Sequence, residues 1–235
     1  MHDPDEILRK LQNIQKKIKT ITDRSIQIIA VTKRHPLPVL HACLESGISH
    51  IAENRSDELL NKLHGDSSLY KKSKIHFIGN LQSRKVASLI NQIHSLDTLA
   101  SLKTLKEIEK HRNQNSPLHV LIQINATGEE NKSGIAIQDQ EEILALCDAA
   151  LHCHPVKLEG LMTMGPTPEN MGRKEWLQST RRVFQKTKVL KDQLENKLNI
   201  YLPRLSMGMS NDLEIAIQAG CTQVRIGRGI FGDRK

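Results

Sequence analysis

The chain has 235 residues, 38% of them hydrophobic and only 3% aromatic, and its 34 Lys and Arg against 26 Asp and Glu leave a net charge of +8. That length suits one large domain or two small ones and can bury a sizeable core. No stretch is long and apolar enough to span a membrane, and Met1–Thr20 lacks the apolar centre of a signal peptide, so the chain reads as cytoplasmic.

The excess positive charge is spread over Gln15–Lys19, Lys71–Lys74 and Arg181–Lys197 rather than gathered in one block. Single-strand binding wants aromatic stacking platforms, which are scarce here, so the charge reads as solvated surface rather than a nucleic-acid site. Cys43, Cys147, Cys153 and Cys221 form no CxxC pair and no zinc spacing, and read as packed free thiols. His152-Cys153-His154 resembles a ligand cluster, but adjacent residues of an extended segment point to opposite faces.

In chain order, Ile7, Leu8, Leu11, Ile14, Ile18 and Ile21 carry helical spacing and predict a leading helix over 4–22. The first strand is 28–32, a β-branched run stopped by Arg34-His35-Pro36, and a helix near 38–46 follows, closed by Gly47. The second strand is 48–52, with a helix from Ser56 to His64 and a polar connection over 66–74. The third strand is 75–78, with its helix over 84–91. The fourth is 93–96, with Asp97-Thr98 expected to start the next helix, which runs to His111. Leu118–Ile124 is the clearest strand, followed by a long turn over 125–134 and a helix over 138–151. Val156–Met162 is the sixth strand, and a loop over 165–172 leads to a long helix over 174–198. The seventh strand is 204–207, Asn211-Asp212-Leu213-Glu214 reads as a capping box, and the eighth strand is 223–226.

Eight strands alternating with helices in this length predict a single (β/α)8 TIM barrel over 28–235 with an extra N-terminal helix in 1–27. An open doubly wound sheet also fits the alternation. No repeat, low-complexity segment or linker divides the chain.

In such barrels chemistry sits at the C-terminal ends of the strands, and the loops after strands seven and eight often hold phosphate. Lys33 ends the first strand. Held against apolar walls, an amine has its charged form disfavoured and becomes nucleophilic towards carbonyls; the alternative is a packed stem with its head in water. Ser206-Met207-Gly208-Met209-Ser210 leaves the seventh strand, and Gly227 and Gly229 follow the eighth, with Arg225 and Arg228 beside them. Serines and glycines are ordinary turn residues, but two such loops side by side make an anion cradle. With Lys33 facing it, the cradle suits a phosphorylated aldehyde.

At this point the sequence resembles the pyridoxal phosphate homeostasis proteins, relatives of the N-terminal barrel of alanine racemase. The resemblance runs from about Ile28 to Gly232. It is carried by Ala30-Val31-Thr32-Lys33, Glu53-Asn54, His76-Phe77-Ile78-Gly79 with Leu81-Gln82-Ser83, and Asn131-Lys132-Ser133-Gly134. It continues in Gly160-Leu161-Met162, Ser206–Ser210 with Asp212, and Arg225-Ile226-Gly227 leading to Ile230-Phe231-Gly232. The ordered set is far more specific than any single motif.

The resemblance implies that Lys33 carries pyridoxal 5'-phosphate (PLP) as an internal aldimine, and that Ser206, Ser210 and the Gly227-Arg228 backbone hold its phosphate. Arg225 matches the residue facing the pyridine nitrogen in the racemases, and Asn54 is a further cofactor neighbour. Lys132 matches a second family lysine that receives or exchanges PLP, against the plainer reading of a solvated loop lysine. The chain departs from the family pattern at His35 (commonly Lys), Ala52 (Gly), Asn80 (His) and Arg228 (Ser or Thr). The implied function is a non-catalytic PLP carrier or regulator in B6 homeostasis, with PLP-dependent apoenzymes as possible recipients and a monomer as the expected state. A small racemase or lyase on the same aldimine is the alternative. The racemases add a second domain and an acid/base tyrosine, whereas Tyr70 and Tyr201 are expected away from the strand C-termini.

Overall fold

A computed structural model describes residues 3–169 and 171–232, without the side chain of Tyr70. Its strands are β1 (Gln27–Val31), β2 (His50–Glu53), β3 (Lys74–Phe77), β4 (Ser95–Leu99), β5 (Leu118–Asn125), β6 (Ile135–Ala136), β7 (Val156–Thr163), β8 (Arg204–Ser206) and β9 (Gln223–Ile226). They run β4-β3-β2-β1-β9-β8-β7-β5-β6, and β4 also pairs with β5. That last pairing closes the sheet: β1 lies against β9 through Ile28↔Val224, and β4 against β5 through Leu96↔Val120, all parallel. The two-residue β6 hangs on the end of β5 through Ile124↔Ile135. The other eight strands make a closed parallel barrel, not an open sheet.

The helices are α1 (Pro4–Ile21), α2 (Leu37–Glu45), α3 (Ser56–Gly65), α4 (Leu69–Lys72), α5 (Ser83–Leu89), α6 (Leu102–His111), α7 (Gln140–His152), α8 (Arg173–Leu198), α9 (Leu213–Gln218) and α10 (Arg228–Phe231). The leading helix α1 begins where Asp3 accepts the Asp5 N–H at 3.0 Å and Pro4 opens the first turn. It packs its buried Ile7, Leu11 and Ile18 against α2, α9 and α10.

Three local expectations are corrected. Asp97 and Thr98 belong to β4 and do not start a helix: Asp97 is fully buried, accepting from Ser95 Oγ and facing His76 Nδ1 at 3.1 Å. Ser101 caps α6 instead, accepting the Thr104 N–H at 3.2 Å. The capping box is also absent: Asp212 turns back to accept the Met209 N–H, and Glu214 pairs with Lys17 of α1 at 2.7 Å. Within the polar connection after α3, residues 69–72 form the short helix α4.

Alternation divides the side chains into two layers. Ile28, Ala30, Ile51, Val120 and Ile122 join the large core between sheet and helices, whereas Ile29, Val31 and Ala52, with Ile78 beside them, pack separately inside the barrel. Below them the interior is polar, with His76, Asp97, Ser206 and Arg225 all buried. The barrel filling is therefore an ion and hydrogen-bond network where branched aliphatics are usual.

Candidate functional site

Beyond β1 the backbone turns sharply. Thr32 N–H donates to Ala52 O at 3.0 Å, and His35 N–H closes the turn on Thr32 O at 3.0 Å. Arg34 between them adopts a left-handed conformation with φ 62°, unusual for a residue with a Cβ. By the alternation that puts Ile29 and Val31 inside, Lys33 is directed inward.

Lys33 lines a cavity of about 460 Å³ at the C-terminal ends of the strands. Ser210, Arg225, Gly227 and Arg228 line the same cavity, so five of the seven predicted residues meet there. The cradle is beside the lysine rather than across from it, because barrel closure makes β9 the neighbour of β1. A Cβ on Gly227 would stand only 3.5 Å from Val31 O, one residue before Thr32.

The other two residues stand apart from the wall. Ser206 is fully buried beneath it, where its hydroxyl accepts from Arg225 Nη1 at 2.7 Å. Asn54 is half-buried past the end of β2, and its carbonyl lies so close to Gly79 that a Cβ there would come within 2.0 Å. Glycine at 79 is what allows these two loops to approach.

The loops after β8 and β9 are tied together at Ser210, whose Oγ accepts the Gly229 N–H at 3.0 Å. Gly208 bends the first of them with φ 95°, and a Cβ there would stand 2.4 Å from the Ala216 Cβ. Arg225 is gripped at both ends, by Ser206 and by Thr163 O at 2.9 Å. Burial lowers its pKa from the ordinary guanidinium value, with the charges of Asp97 and Asp212 pulling the other way. Burial alone would raise the Asp97 carboxyl, but His76, Ser95 and Arg225 outweigh it and leave the carboxyl below its usual range.

Lys132 is not a solvated loop lysine. Its Nζ donates to Glu129 Oε1 at 2.9 Å and to Gly165 O at 2.6 Å, pinning the turn after β5 to the loop after β7. His35 lines the cavity and packs on Phe231 with ring centroids 4.7 Å apart.

The apolar half of the cavity was not read from the sequence. Met162, Met164, Pro166, Pro168 and Trp176 supply it, with Trp176 held by its Nε1–H donating to Pro166 O at 2.9 Å. The lone tryptophan after a proline-bearing loop was the signal available. Tyr201 lies ahead of β8, at the opposite end of the strand from the cavity, and is 78% exposed; the Tyr70 side chain lies outside the described residues.

Comparison with known proteins bears on the family and the fold. The family model described as alanine racemase, N-terminal domain, matches residues 3–235. The chain is 34% identical to a pyridoxal phosphate homeostasis protein of Aquifex aeolicus over 100% of both chains. It is 35% identical to one of Schizosaccharomyces pombe, over 90% of this chain and 85% of that one. PipY of Synechococcus elongatus, solved with PLP bound, superposes with a TM-score of 0.80 at 23% identity, covering 96% of this chain and 100% of that one. An alanine racemase of Clostridium difficile gives a TM-score of 0.72 at 16% identity, covering 98% of this chain and 57% of the racemase. At these identities the two structures speak to the fold alone.

Proposed function

The chain belongs to the pyridoxal phosphate homeostasis proteins, within the alanine racemase N-terminal domain family, and on that premise we propose that its whole length forms one PLP-binding unit acting as a carrier or regulator rather than a catalyst. The observation that carries the reading is the meeting of Lys33 with Ser210, Gly227 and Arg228 on one cavity wall.

The donor set fits a phosphorylated aldehyde. Ser210 accepts from the Gly229 N–H, so its own hydroxyl proton is available to an anion. Arg228 is an exposed cation on the same wall, and Lys33 supplies a primary amine beside it. When bound, the coenzyme contributes an aldehyde that condenses with an amine, releasing one water, and a ring that acts as an electron sink when its nitrogen is protonated. Arg225, fixed by Ser206 and Thr163, is the cation that would keep the ring nitrogen unprotonated and weaken that sink. Ser206 then acts one layer down, holding Arg225 rather than the phosphate. Asn54 is assigned to the loop packing around Gly79.

A general acid or base must be positioned at the reacting atoms to turn a bound coenzyme into a catalyst. Tyr201 stands at the wrong end of β8 for that role. The same reading makes the protein a monomer inside the cell that exchanges PLP and other B6 vitamers with its surroundings and passes PLP to PLP-dependent apoenzymes. No described helix is long and apolar enough to cross a membrane.

The test is a visible spectrum of protein mixed with PLP and then desalted. The unmutated chain retains a yellow absorption band and Lys33→Ala does not; a band that survives Lys33→Ala overturns the site. Steady turnover of an amino acid that disappears with Lys33→Ala would replace the carrier reading by an enzyme.

A further inference from the structure

Behind Lys33, on the outward face of β1 and β2, lies a buried ionic cluster that belongs to neither the cavity nor the apolar core. Lys62 of α3 is 6% exposed and Glu53 of β2 is fully buried. Lys62 Nζ donates to Glu53 Oε1 at 2.7 Å, to Glu58 Oε1 at 2.7 Å and to the carbonyl of Thr32 at 3.2 Å. Thr32 Oγ1 adds a bond to Glu53 Oε1 at 2.6 Å. Glu58 Oε1 also takes the backbone N–H of Arg34 at 2.5 Å.

The pattern has a single focus. Lys62 holds the residue before Lys33 directly, through the Thr32 carbonyl. It holds the residue after Lys33 through Glu58, which secures Arg34 in its left-handed conformation. Among the described residues Glu53 Oε2 has no hydrogen-bond partner, so the bonds of this carboxylate run through Oε1 to Lys62 and Thr32. Burial also raises the Glu53 carboxyl above its ordinary value, with Lys62 and Thr32 only partly opposing that. Buried ion pairs are in general poor sources of stability, because desolvating two charges offsets their attraction.

We propose that Lys62, with Glu53 and Glu58, is a positioning cluster that fixes the turn carrying Lys33 and so aims its amine at the aldehyde bound in the cavity. The proposal rests on the PLP reading above and adds residues to it. Lys62 meets the turn directly only at the Thr32 carbonyl and through Glu58 at the Arg34 N–H, and is not among the residues lining the cavity, so its loss affects attachment to the amine and spares the anion contacts of Ser210, Gly227 and Arg228.

The experiment compares the affinity of PLP with that of pyridoxine 5'-phosphate, which has the same ring and phosphate but an alcohol in place of the aldehyde. Lys62→Met is expected to weaken PLP by about tenfold or more, as a small misplacement of a reacting group does. The alcohol analogue, bound without the amine, should stay within about twofold of its original affinity, since the groups that hold it are untouched. Because Lys62→Met leaves Glu53 buried alone, the double variant Lys62→Met/Glu53→Gln removes both charges and keeps the fold testable; the same selective loss is expected of it. Equal weakening of both ligands, or no weakening of PLP, overturns the assignment. Failure of the PLP reading itself looks different: the unmutated protein and Lys33→Ala would then bind PLP alike.

Discussion

At the residue scale, the lysine was legible because its surroundings are local: a β-branched run, a stop at Pro36, and an amine at the strand end. What holds it was not legible, since Glu53, Glu58 and Lys62 come from β2 and α3 and meet Thr32 and Arg34 only in the folded chain. The same holds for His50, His76 and Asp97, spread over three strands. His50 Nδ1 lies 2.9 Å from His76 Nε2, and His76 Nδ1 faces Asp97. Burial, reinforced by His76, pushes His50 down to about 4, and burial, reinforced by His119, pushes His94 down to about 3. Both histidines are therefore neutral in the folded protein and protonate more easily once unfolded, with an ordinary value near ~6.5. Their contribution to stability is whole above that value and is lost as pH falls through it towards 4 and then 3. Urea midpoints for the unmutated chain should fall between neutral pH and mild acid. His50→Gln should reduce that fall, even if its midpoint at neutral pH is lower for want of the His76 bond. An unchanged fall in His50→Gln would show that His50 is not one of the groups responsible.

At the element scale, periodicity located every barrel strand, and the errors fall where a side chain serves tertiary structure. The fourth strand was cut short at Asp97 because an aspartate before a helical run resembles a cap, whereas burial against His76 and Ser95 keeps it in the strand. Asp212 misled in the same way, spending its carboxylate on Met209. Barrel closure adds a steric demand that no strand pattern reveals. At Gly160 of β7, beside a register shift, a Cβ would lie 1.7 Å from the carbonyl oxygen of Arg204 on β8. Gly160→Ala must therefore part β7 from β8, and a loss above about 4 kcal/mol is expected, in the range that marks backbone disruption. Gly172→Ala, with nothing within 4 Å of the added methyl, is the control and should cost about 1 kcal/mol at most. Chemical denaturation of the two variants decides it; equal stabilities would mean that β7 and β8 can move apart without penalty.

At the scale of the whole molecule, alternation of strands and helices could not choose between an open sheet and a barrel. The choice depends above all on the β1–β9 pairing, which joins the first and last strands of the chain, with β4–β5 completing the ring. The phosphate cradle was legible as a composition of loops, yet its place beside Lys33 follows from closure and not from sequence order. What the closed barrel creates is a cavity lined both by an amine with anion donors and by Met, Pro and Trp side chains. Beneath it, Arg225 is anchored to Ser206 and Thr163. Of the chain's lysines and arginines, Lys33, Arg225 and Arg228 line the cavity. Borohydride reduction of protein incubated with PLP, followed by peptide mapping, tests the central claim most directly. The account predicts one pyridoxyl group per chain on the peptide containing Lys33; a label found only on Lys132, or spread over surface lysines, would contradict it.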